Sequence, residues 1–340
     1  MAYAATAGGS LPSMTAAPGV LALQRALVWL VGACGAIVFI EPSPYEIATL
    51  TASLIFFATG ALRMRLVFIP LLLTLYDRAR GTFKDPNVFG AFLILPALFA
   101  LQSVVSDKFG KSTRSAIAFG IMSLAILLAF SRAAWGMLVI TSAVMLALMV
   151  LTSRSQSQRS RIIIMALVVV VLAAALVAVL LSFDSIAQLF KQRASFDQSY
   201  DEGRFGRFGR HILGAEMALG LPFGIGPLQF NRYFPEDTHN SYLNAFMSGG
   251  WLSGVCYPAL VFVTVLTSFR YVFVRVPWQP AYLAIFAAFL GTVGESFIID
   301  TDHWRHFWMM LGLMWGMFVA AEHYKARAGD AFNAAAVPAS

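Results

Sequence analysis

The chain has 340 residues, 59% of them hydrophobic and only 12% charged, with a mean hydropathy of +0.73. Soluble domains carry about 25% charged residues, so this composition excludes a water-soluble globular protein and predicts an all-α, polytopic integral membrane protein. Lys and Arg outnumber Asp and Glu by 24 to 17, and the placement of these charges decides whether a nucleic-acid partner is needed.

Residues 1–19 carry no positive charge and lack the layout of a signal peptide. They read as a disordered tail. Ten apolar segments follow, at 20–40, 47–60, 66–76, 88–106, 115–130, 133–152, 162–183, 241–268, 280–299 and 305–321. The third is too short to cross the hydrocarbon alone, since a span needs about 20 apolar residues. No long charged or Pro/Gly-rich linker separates the segments, which predicts one membrane domain. Cys34 and Cys256 fall inside apolar segments, which argues against a disulfide or a thiolate metal site.

If every segment reverses the chain, one side collects Arg25, Arg63, Arg65, Lys108, Lys111, Arg114, Arg154, Arg159, Arg161, Arg270, Arg275, Lys325 and Arg327. Against these 13 cations stand only Asp107, Glu322 and Asp330. The opposite side takes 11 basic and 14 acidic residues. The positive-inside rule makes the first side cytoplasmic, with both termini on it. The basic excess is therefore a topology signal and needs no nucleic acid. The expected plan is a cytoplasmic tail (1–19), an N-terminal bundle (20–183), a periplasmic loop (184–240), C-terminal helices (241–321) and a second cytoplasmic tail (322–340).

What needs explaining is the set of arginines left outside. The loop 77–87 places Arg78, Arg80 and Lys84 against the rule, partly neutralised by Asp77 and Asp85. Ser131-Arg132-Ala-Ala-Trp135 stands at the outer end of its helix. An intramembrane arginine costs about 2.5–3.5 kcal/mol unless it snorkels or pairs, and Trp135 fits the aromatic belt.

Within 184–240, Arg204, Arg207 and His211 share one helical face and Phe208, Ile212, Ala215 and Leu219 another. That pattern predicts an amphipathic helix in the membrane interface, cationic face up. Lipid headgroups alone are a sufficient partner for such a face. Pro222-Phe-Gly-Ile-Gly-Pro227 then forces a tight turn beside it. No βαβ pattern surrounds Gly224 and Gly226, so this is not a dinucleotide fingerprint.

His239 precedes an apolar segment in DTHNSYLNAF. There it is either a general base near neutral pH or a bystander to helix capping by Thr238 or Asn240; position alone leaves both open. In Asp300-Thr-Asp-His-Trp-Arg-His306 the spacing of histidines and aspartates is metal-like, yet Arg305 sits among them. A polar plug hydrogen-bonded to the His239 loop is the preferred reading, with no metal and no cofactor.

Taken together, RGTFKDPNVFG (80–90), SRAAW (131–135), GRFGR with PFGIGPLQF (206–230) and HNSYLNAFMSGGWLSG (239–254) resemble the O-antigen ligase and polymerase superfamily. DTDHWRHFW (300–308) resembles the variant in alphaproteobacterial exopolysaccharide polymerases and ligase-like proteins. The similarity spans residues 38 to 321, with a segment between 60 and 80 that looks shortened beside relatives.

The resemblance implies a GT-C-like glycosyltransferase of the bacterial inner membrane with a periplasmic active site. It would move a glycan from an undecaprenyl-diphosphate carrier to a hydroxyl of a saccharide or lipid A–core acceptor, metal-independently and with inversion. It also implies catalytic roles for His239, Arg207 and Arg132, with Arg207 favoured over Arg210 by its spacing to Pro222. Arg210, Arg204, Arg80, Lys84, Asn240, Gly224 and Gly226 are implied in substrate binding. The competing readings are a flippase for the same lipid-linked sugars and an inactive scaffold. A flippase calls for midplane charges and broken helices in paired halves, which the sequence does not display.

Overall fold

The computed structural model describes residues 74–75, 78–81, 83, 85–107, 109–194 and 203–336, together with the helical positions Gly19, Leu23 and Ala26. The chain divides into two compact units, Met1–Ile69 and Pro70–Ser340. All elements named below belong to the second.

Two short strands, β1 (Thr74–Leu75) and β2 (Arg78–Ala79), pair antiparallel. Among the described residues nine α-helices follow. They are α1 (Pro86–Ser106), α2 (Phe109–Leu128), α3 (Arg132–Thr152), α4 (Gln156–Leu181), α5 (Asp184–Ala194), α6 (Arg207–Leu219), α7 (Ser241–Tyr271), α8 (Gln279–Glu295) and α9 (Arg305–Ala336). Helix starts follow local chemistry. Asp85, Ser131, Ser155 and Asn240 each cap a free backbone N–H at the start of α1, α3, α4 and α7. Pro86 occupies the first turn of α1, where its missing N–H costs nothing.

The core forms where α1, α3 and α8 pack together, with α2 against α1 and α9 against α8. Every residue of α8 from Tyr282 to Phe289 is buried, so it is the central helix. Gly90 lets α1 approach α3 closely, since a Cβ there would lie 2.7 Å from that of Ala134. Helix α4 differs: Ile162 is its one buried residue, and Ile164, Leu167, Val170, Val171 and Leu172 are exposed. Apolar all round from Ile162 onward, such an exposed helix suits lipid.

Four described helices are long and apolar enough to cross a membrane: α1, α3, α4 and α7. The sequence offers ten apolar segments, the third too short to span alone. The first three predicted segments fall almost wholly outside the described residues. The other seven are largely helical, and 115–130 falls on α2, whose apolar stretch is the shorter Ser112–Leu128. Helix α8 has 17 residues, a rise of about 25 Å against a hydrocarbon core of about 30 Å. The last predicted segment, 305–321, continues as helix to Ala336.

Candidate active site

The site is built at the start of α7. Asn240 accepts hydrogen bonds from the amides of Tyr242 (3.1 Å) and Leu243 (3.0 Å), which satisfies the helix N-terminus. Immediately before it, three donors converge on the Asp300 carboxylate: the Thr238 hydroxyl at 2.6 Å and the amides of His239 and Asn240, each at 2.9 Å. Ser241 extends the junction, its hydroxyl receiving the Thr301 amide at 2.6 Å. The 300–302 loop is thus the polar plug under the His239 segment.

His239 adopts φ +48°, a left-handed conformation uncommon for residues other than glycine. Such strain costs about 1–3 kcal/mol and persists only where surroundings over-determine it; here the three bonds to Asp300 do so. The ring is about one-third exposed, with Nδ1 3.4 Å from Asp300 Oδ2 and Nε2 3.9 Å from Glu236 Oε2. Burial of Asp300 opposes its ionisation, but hydrogen bonds from His239 and Thr238 prevail and hold its carboxyl below the usual range.

Helix α6 flanks this segment. Gly214 and Ala218 face α7, and Leu243 and Phe230 close on Gly214. Arg210 shares the buried face at only 2% exposure; its guanidinium donates to Glu236 Oε2 at 2.8 Å and to the Phe205 carbonyl at 2.9 Å. Arg207 is half-buried at the first turn of α6, and Arg204 lies exposed just before the helix. Phe208, Ile212 and Leu219 are exposed together, as expected of the apolar face.

His211, one turn on from Arg207 on the same helix, is bonded into the protein instead of standing free. Its Nε2 donates to the Thr238 carbonyl at 2.8 Å. Burial lowers its pKa, with the backbone bonds to Thr238 and His239 opposing and Arg207 assisting. It is a neutral tie between α6 and the Asp300-bound segment.

The Pro222–Pro227 turn docks into a break in α7. Gly250 takes φ +69° inside that helix, the Ile225 amide donates to the Met247 carbonyl at 2.7 Å, and the Trp251 amide to Pro222 at 3.0 Å. Gly224 has φ +71°, and a Cβ there would meet Gly250 N and Met247 O at 2.6 Å. Gly226 also has positive φ, +92°. The amides of Gly224 and Ile225 are therefore bonded within the protein.

Arg132 begins α3 behind its Ser131 cap, half-buried. Trp135 stacks on Phe190 of α5 at 4.9 Å and donates to the Ile126 and Leu127 carbonyls. Arg80 is half-buried after β2, and Lys84 lies outside the described residues. Arg78, not singled out for the site by sequence, ties the Ala129 carbonyl to Asn87, both at 2.8 Å. Asp302 accepts from Asn244 at 2.6 Å and raises the pKa of neighbouring His303. Among the described residues no group of His, Cys, Asp and Glu is arranged to hold a metal.

Helices α3 and α6, the docked turn and the His239 cap all lie within one matched stretch: residues 117–257 fit the family model for O-antigen ligase. Over this stretch the chain is similar to the O-antigen ligase family. The family supports a ligase- or polymerase-type transfer of glycan with lipid-linked polysaccharide as substrate. No curated protein and no solved structure matches the chain. Arg132, Arg207 and His239 fall inside the O-antigen ligase match, whereas Asp300 lies beyond its end. Sequence reading missed the buried Arg210–Glu236 pair, which carries no local signal, and the Gly250 break, for which Gly249-Gly250 was the available cue.

Proposed function

We propose that the protein is an inverting, metal-independent glycosyltransferase of the bacterial inner membrane. It moves a glycan from an undecaprenyl-diphosphate carrier to an acceptor hydroxyl on the periplasmic face, as an O-antigen ligase or an O-antigen or exopolysaccharide polymerase. The observation that carries the reading is His239, held in a strained backbone by Asp300 at the start of an apolar helix with its ring about one-third exposed.

In this mechanism Asp300 faces Nδ1, so Nε2 is the nitrogen left to accept the acceptor's proton. The deprotonated oxygen attacks the anomeric carbon, the bond from that carbon to the diphosphate oxygen breaks, and undecaprenyl diphosphate leaves with the electron pair. Direct displacement inverts the anomeric centre. Arg132 and Arg207 hold the diphosphate, because permanently charged, bidentate guanidinium groups stabilise the charge that develops there. Lipids cover α4 and the exposed face of α6.

The test is transfer by protein in lipid with a labelled undecaprenyl-diphosphate glycan, with and without lipid A–core. A His239-dependent ladder without added acceptor identifies a polymerase; product only with lipid A–core identifies a ligase. Near-normal transfer by both Arg207→Ala and His239→Ala would refute the proposal.

A further inference from the structure

Arg210 is buried, yet the carboxylate it holds is not: Glu236 is 51% exposed. Desolvating a guanidinium for a half-exposed partner contributes little net stability. What the arrangement secures is position. Glu236 sits on a short stiff strap between Phe234, stacked on buried Phe230 at 4.4 Å, and buried Thr238, with Pro235 before it. The strap and Arg210 together fix Glu236 Oε2 3.9 Å from His239 Nε2.

That separation is too long for a direct hydrogen bond. It suits two neighbouring hydroxyls of one sugar ring, which lie about one hydrogen-bond length apart, one on each group. A carboxylate only accepts, so Glu236 receives a hydroxyl proton without removing it, while His239 takes the other. We propose that Glu236 recognises the acceptor hydroxyl adjacent to the one that attacks, and that Arg210 is its positioning residue. This rests on the glycan-transfer reading above. It makes the acceptor a sugar with adjacent free hydroxyls at the growing or receiving end.

The test uses full-length protein in lipid nanodiscs, an undecaprenyl-diphosphate oligosaccharide donor, and an acceptor oligosaccharide that sustains His239-dependent transfer. Monodeoxy versions of that acceptor, each lacking one hydroxyl next to the attacking one, complete the set. Glu236→Gln should raise acceptor KM about ten- to a hundredfold, as for loss of a charged hydrogen bond, with kcat and donor KM little changed. Wild type should lose as much on one monodeoxy acceptor, and Glu236→Gln should lose nothing further on it. Arg210→Lys should show the same KM-weighted defect in milder form. Additive losses, with Glu236→Gln still discriminating against the deoxy acceptor, overturn the proposal. So does wild type that uses every monodeoxy acceptor normally, a result that stands even if the variants misfold. Transfer that survives His239→Ala defeats the parent reading instead.

Discussion

Asp300 grips His239 twice, accepting its amide at 2.9 Å and facing its ring Nδ1 at 3.4 Å. The same carboxylate holds buried Thr238 and the Asn240 amide, so backbone strain, helix capping and ring orientation depend on one side chain 61 residues away in sequence. Asp300→Asn replaces an acceptor oxygen with a donor facing other donors. It should destabilise the protein by about 2–3 kcal/mol and reduce transfer further, because His239 loses both its backbone brace and its ring partner. Thermal unfolding and transfer, measured where both proteins are folded, check this. Wild-type values for both would remove Asp300 from the site.

Acid should weaken the same junction through two groups. The Asp300 carboxyl is lowered in the fold, so its contribution is present above the unfolded value of about 3.9 and is lost as pH falls through the lower folded value. The His211 imidazole is also lowered, so its contribution is present above about 6.5 and is lost as pH falls from there. In the range between pH 7 and 5, His211 is the group that acts. Amides of α6 should lose hydrogen-exchange protection over that range. His211→Gln, which can still donate to the Thr238 carbonyl but does not titrate there, should keep it. Equal pH dependence in both proteins would exclude His211 as the cause.

Much of this arrangement was written in local sequence. Apolar runs gave most of the helices from residue 86 onward, and Asn240 was open to reading as a cap, because both signals act within a few residues. The amphipathic character of α6 was legible in Phe208, Ile212 and Leu219 for the same reason. Its third face was not: Arg210 looked like another surface cation, and only contact with Glu236, 26 residues on, shows it buried. The bond of His211 to Thr238 was hidden for the same reason, since it spans 27 residues. Hydropathy alone does not separate an outward-facing apolar helix such as α4 from a core helix such as α8, because both are rich in apolar residues and only packing tells them apart.

Gly250 should tolerate no side chain. Its φ of +69° disfavours any Cβ, and one placed there would collide with the Pro222 carbonyl. Gly250→Ala should therefore cost about 2 kcal/mol or more and release the Pro222–Pro227 turn from α7. Protease sensitivity in that turn, read beside the unfolding temperature, reports both effects. Gly220→Ala is the matched control, because Gly220 has negative φ and the nearest atom to an added Cβ is 3.7 Å away; it should change little. Equal behaviour of the two variants would contradict the docking.

The two arginines of α6 should separate stability from transfer. Removing Arg210 leaves Glu236 unpaired and empties a buried slot against the Phe205 carbonyl. Glu236 is half exposed, so water replaces part of what is lost, and Arg210→Ala should cost about 1–3 kcal/mol. Arg207, half-buried at the first turn, should cost less than about 1 kcal/mol on removal while transfer falls steeply, because its proposed role is to hold diphosphate. The decisive comparison is donor affinity, measured as KM for the undecaprenyl-diphosphate glycan. Arg207→Ala should raise it, and Arg210→Ala should leave it near wild type while raising acceptor KM. The reverse pattern would move the diphosphate to Arg210 and require the α6 segment to open before the donor binds.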